Sequence, residues 1–148
     1  GQFSPCGITV KPKRPEISKA ASAIINTVPP LLKMEMAVGM ASVDIFHEDN
    51  YALGYVFGFI EGTMQAMNIV MGGNEYIVVY MMCYDEIFAS PHGPTLLKRS
   101  FDIQDDELFS KGRNLGGAEA FEFKNQSLPP LGFSTHLLKI DMTELKAN

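Results

Sequence analysis

The chain of 148 residues has no tryptophan, only two cysteines and few charges, with 20% Asp, Glu, Lys and Arg against 46% hydrophobic residues. Each shortage excludes something. Cys6 and Cys83 are too few for a disulfide framework, and neither lies in a CxxC or Cys/His run that would hold a metal. The expectation is therefore a reducing, cytoplasmic setting, with no cofactor and no metal. Lys and Arg total 12 against 17 Asp and Glu, a net charge of −5. That balance counts against nucleic acid as partner, because phosphate neutralisation needs a Lys/Arg surplus on one face. The basic cluster Lys11, Lys13, Arg14 and Lys19 is spaced by prolines and reads as a solvated arm. Nothing beside Gly1 resembles a signal peptide. High apolar content with low net charge marks a folded chain, long enough for one domain that buries about two-thirds of its unfolded surface. Residues 1–148 are read as that single domain, with 1–15 as an N-terminal arm and 143–148 as a tail.

What the chain does contain is concentrated between Asn50 and Met71, a segment of about six turns if helical, with Glu61 as its one charged residue. A bilayer span is the poorer reading, since Glu61 at mid-depth costs roughly 2.5–3.5 kcal/mol, with Gln65 and Asn68 adding to it. Gly54, Gly58 and Gly62 recur every fourth residue and Ala66 continues the row, so one side of this helix is nearly bare. Something packs very close to it. Glu61, Gln65 and Asn68 form a narrow polar strip and almost every other direction is apolar, which predicts a helix covered on most sides. His47-Glu48-Asp49-Asn50 before it offers two N-caps, and Gly72-Gly73 ends it.

Around this helix the periodicity predicts a short strand over Ile8–Lys11, then a helix over Glu16–Val28 stopped by Pro29-Pro30. Met34, Met36, Val38 and Met40 alternate with Lys33, Glu35, Ala37 and Gly39, the period of a half-buried strand. The parity shifts after Gly39 to Ala41, Val43 and Ile45, as a bulge would produce. Tyr76–Tyr84 is continuously apolar and rich in β-branched and aromatic residues, which predicts a buried strand. Ser90–Pro94 reads as a turn, 97–103 as a strand, 105–111 as a short helix or loop, Gly112–Gly117 as a joint, and 120–124 and 136–142 as strands around the Pro129–Gly132 turn. A second reading keeps Lys33–Phe46 and Tyr76–Phe88 helical, in an all-helical bundle packed on the glycine row.

The first order, a long strand, one apolar helix and a run of antiparallel strands, resembles the hotdog fold over residues 16–142. That likeness implies an α+β domain in which a curved antiparallel sheet wraps the central helix. His47 ending the long strand, Glu61 fourteen residues later and Gln65 at i+4 are similar to the slots of β-hydroxyacyl thioester dehydratases of this fold. The family's Pro/Gly-rich loop is replaced by His47–Val56, which has no proline. The run Gly54–Glu61 is similar to hotdog thioesterases, where a lone helix carboxylate follows a glycine-rich start.

The resemblance implies an acyl-CoA or acyl-carrier thioester hydrolase, ahead of a dehydratase because the proline loop is missing, in a homodimer or higher homo-oligomer. In either enzyme Glu61 exchanges protons, as a carboxylate desolvated in an apolar slot can. His47 removes the α-proton in a dehydratase, and Gln65 belongs to the same slot. Backbone N–H groups at the helix N-terminus, from Asn50 on, hold the thioester oxygen, and Gly54, Gly58 and Met64 line the acyl path. The rival expectation is a non-catalytic domain that binds a hydrophobic small molecule or a partner protein through the same surfaces. Cys83, in its apolar run, is read as an inert core thiol. Asp85, Glu86 and His92 lack ligand spacing for a cation.

Overall fold

A helix buried on every side needs neighbours on every side, and the computed structural model supplies them as other helices. It describes residues 17–69 and 73–139. The elements are α1 (Lys19–Val38), a 3₁₀ turn (Val43–His47), α2 (Asn50–Ala66), α3 (Asn74–Phe88), α4 (His92–Asp102), α5 (Glu107–Gln126) and α6 (Leu131–Leu137). No strand occurs among the described residues, so the hotdog-like curved sheet of the α+β reading is not formed and the all-helical alternative is the architecture. The expected strand Ile8–Lys11, the basic residues Lys11 to Arg14, Cys6, the Met71-Gly72 helix end and positions beyond Lys139 lie outside the described residues.

α2 is the axis. Asp49 caps it by accepting the Ala52 N–H at 2.9 Å, and every residue from Ala52 to Ile60 is buried. α5 lies along the bare side in the same direction, with Gly54 against Phe109, Gly58 against Arg113 and Gly62 against Gly117. A Cβ at Gly54 or Gly58 would fall inside the α5 backbone, and one at Gly112 or Gly116 inside the α2 backbone. Glycine in a helix interior costs about 1 kcal/mol relative to alanine. Here it is what lets two backbones touch. The Gly112–Gly117 run is therefore the middle of α5, not a joint.

The other expected strands are also helices. Lys33–Met40 completes α1, whose buried residues Ala21, Ile24, Val28, Leu32, Glu35 and Met36 keep helical spacing straight through Pro29-Pro30. Of the alternating set only Met36 is buried, while Met34, Val38 and Met40 are exposed. The prolines remove two backbone donors, but the stripe on either side of them is held in the core, so the helix continues. Tyr76–Tyr84 lies in α3, which buries Val79, Tyr80, Cys83, Tyr84, Ile87 and Phe88 and exposes Ile77 and Met81. Residues 97–102 fall in α4 with Ile103 as its C-cap, 120–124 in the last turns of α5, and 136 and 137 in α6. No helix among the described residues is long and apolar enough to cross a membrane.

Candidate functional site

Sequence reasoning singled out seven positions, and the fold separates them into four environments. Glu61 is not a free carboxylate in an apolar slot. Arg113 Nε donates to its Oε1 at 2.7 Å and Arg113 Nη2 to its Oε2 at 2.5 Å, a bidentate pair across the α2–α5 seam. Arg113 Nη1 donates to Gln104 Oε1 at 2.6 Å, and the guanidinium carbon lies 5.1 Å from the Phe57 ring centroid. The hydrogen bonds to Glu61, with its charge, raise the Arg113 pKa above the usual arginine value against the opposing effect of burial. Both Glu61 oxygens are engaged. Gly54 and Gly58 are filled by the α5 backbone, Met64 is sealed in the core, and Gln65 is exposed.

His47 lines a polar cleft, and Asn50 is bonded to Arg99, another residue of its wall. Phe46, buried against Phe88 with ring centroids 4.9 Å apart, anchors the 3₁₀ turn and presents His47 beside it. His47 Nε2 lies 2.8 Å from Nδ1 of His92, the first residue of α4, so one proton is shared between the two rings. In the last turn of α4, Arg99 Nη2 donates to the side-chain oxygen of Asn50 at the start of α2. The cleft has a volume of about 350 Å³ and is lined by His47, Thr95, Lys98, Arg99, Asp102 and Ile103.

Arg99 is the anomaly in this cleft. It is half-buried, yet among the described residues no carboxylate lies within ion-pair distance of it. Its Nε–H is enclosed without any partner, and its one acceptor, Asn50, is a neutral amide. The nearby acids are committed elsewhere: Asp102 pairs with Lys98 at 2.7 Å, and Asp49 accepts from His136 at 2.8 Å. Burial alone would raise the Asp49 pKa. Hydrogen bonds from His136 and the Ala52 N–H, with the charges of His136 and Lys139, outweigh it and hold the carboxyl below its ordinary value.

Arg99 was missed because residues 97–103 read as a strand, which puts it on one face with Leu97 and Phe101; Thr95 fell between that strand and the Ser90–Pro94 turn, and His92, in the turn, was weighed only as a cation ligand. At helical spacing His92, Thr95, Arg99 and Asp102 form one polar stripe, and that signal was present in the sequence.

Elsewhere, Tyr55 donates to Glu119 at 2.5 Å and Glu119 also accepts the Gly132 N–H. Burial, opposed by those bonds and helped by the charges of Glu122 and Glu35, raises the Glu119 pKa. Cys83 is enclosed in the core, where burial pushes its thiol up to about 12, so it is not a nucleophile. Among the described residues no three His, Cys, Asp or Glu side chains gather as metal ligands would. Compared with protein families, curated proteins and solved structures, the chain matches none.

Proposed function

We propose that this chain is a non-catalytic binding domain that takes a small anion, a carboxylate or a phosphate, in the cleft between the 3₁₀ turn and α4. The observation that carries this reading is Arg99. A guanidinium has five N–H donors in a planar fork suited to bidentate oxyanions. A half-buried cation without a counter-ion is costly, and a bound anion removes that cost. His47, Thr95 and Lys98 line the same space with further donors. Acyl-thioester hydrolysis or dehydration would need Glu61 or His47 to exchange a proton with substrate, and each instead holds a protein partner, Arg113 and His92.

The test is a titration with inorganic phosphate and with acetate, followed by NMR of the Arg99 Nε–H and of the His47 and His92 rings. A saturable shift of these signals is expected with at least one of the two, and Arg99→Gln should abolish it while the helical circular dichroism is unchanged. No saturation in the wild-type chain, or the same shift in the variant, overturns the proposal.

A further inference from the structure

On the other side of α4 lies an apolar groove of about 290 Å³, walled by Ile77 and Met81 of α3 and by Pro94, Leu97 and Phe101 of α4. Its size is at the lower end for small-molecule sites, and its composition suits one. Ile77, Met81 and Phe101 are 40%, 51% and 38% exposed, so α3 and α4 both present large apolar side chains to this groove. Two charged residues line it. Asp85 stands at the end where α3 turns into α4, near Gly93. Lys98 lines this groove and the anion cleft alike, and its ammonium sits 2.7 Å from Asp102 on the cleft side.

We infer that the ligand is a single-chain anionic amphiphile, its head at Arg99 and its tail laid over Lys98 into the α3–α4 groove. This inference rests on the anion reading of the cleft. Asp85 repels a negative head at the hairpin end, so the head belongs on the Lys98 side and the tail runs from there. The methylene stem of Lys98 gives the tail an apolar surface to cross, while its ammonium stays with the polar groups. Groove and cleft share Lys98, and together they match a molecule that is charged at one end and apolar along the rest.

Isothermal titration with two pairs of probes tests this: acetate against octanoate, and inorganic phosphate against octyl phosphate, all below micellar concentrations. Each methylene buried in the groove tightens binding by up to about fourfold. An octyl chain should therefore bind about tenfold or more tighter than its bare head in at least one pair, and that pair identifies the head. Met81→Glu, at an exposed position, should remove this gain and leave binding of the bare head intact, whereas Arg99→Gln should weaken every probe. If the bare head binds but the chain adds nothing, the amphiphile inference is overturned and the anion reading stands. A chain-length gain that survives Met81→Glu also overturns it. If no probe binds, both fall.

Discussion

Two alanine substitutions in the α2–α5 seam should change stability in opposite directions. At Gly58 a Cβ would enter the backbone of Arg113, and no side-chain rotation can relieve a clash with backbone. Overpacking costs typically 1–3 kcal/mol, and a rigid obstacle places Gly58→Ala near the top of that range. The gain in helix propensity returns about 1 kcal/mol, leaving a net loss of about 2 kcal/mol. At Gly117 the nearest atom to a Cβ is the Gly58 carbonyl oxygen at 3.6 Å, an ordinary contact. Gly117→Ala therefore keeps the propensity gain and stabilises by about 0.5–1 kcal/mol. At this length the melting temperature moves roughly 2–4 °C per kcal/mol, so the first variant should melt about 4–8 °C lower and the second about 1–4 °C higher. Urea denaturation followed by circular dichroism measures both. If Gly58→Ala is as stabilising as Gly117→Ala, the two backbones do not touch and the seam is misassigned.

Two further predictions concern charge. A double-mutant cycle with Glu61→Gln and Arg113→Met should return a coupling of about 1–3 kcal/mol, because the pair is bidentate and its side chains are only 16% and 33% exposed. A coupling near zero would mean the pair is a surface contact. Asp49 and Glu119 should bend the pH dependence of stability oppositely. Asp49, held below its ordinary 3.8, contributes stability that is present above that value and lost as pH falls through its folded pKa. Glu119, held above its ordinary 4.5, contributes stability that is present below that value and lost as pH rises through its folded pKa. Denaturant midpoints measured on either side of these values should fall less steeply in acid for Asp49→Asn, whose amide still caps α2. They should decline less with rising pH for Glu119→Gln. Slopes unchanged from wild type would remove these two groups as the cause.

What the sequence made legible was the centre. One apolar helix beginning at the Asp49 cap, bare along its glycine row and covered on its other sides, is α2 as found, though it ends at Ala66 before the expected glycine pair. Its covering was misjudged for identifiable reasons. A short continuous apolar run such as Tyr76–Tyr84 has no period to read, because α3 carries Ile77 and Met81 on its outer face as well as aromatics on its inner one. Tandem prolines read as a stop, yet burial of Val28, Leu32 and Met36 holds α1 together through them. In the site, His47 and Asn50 were chosen for a different chemistry, and the fold gives them other partners, His92 and Arg99. Arg99 and His92 could not be placed beside them without α4, and Glu61 could not be seen as paired until Gly112–Gly117 was known to be helix, which puts Arg113 across the seam.

The seam and the cleft are coupled through α2. Backbone contact with α5 leaves α2 no room to slide or rotate, and the Glu61–Arg113 bond fixes its register. That in turn fixes Asn50 and Asp49 at its first turn and the 3₁₀ turn just before it. α4 is anchored independently, by buried Leu96 and Leu97 and by Ser100, which meets the Tyr84 hydroxyl at 2.8 Å inside the core. The groups that face the cleft therefore stand on two elements that are each immobilised from behind. A site held this way has its ordering cost met by folding, so the ligand retains more of its contact energy as affinity. The same geometry leaves the Arg99 guanidinium with Asn50 as its acceptor, while Asp102, the carboxylate that lines the cleft beside it, is held by Lys98.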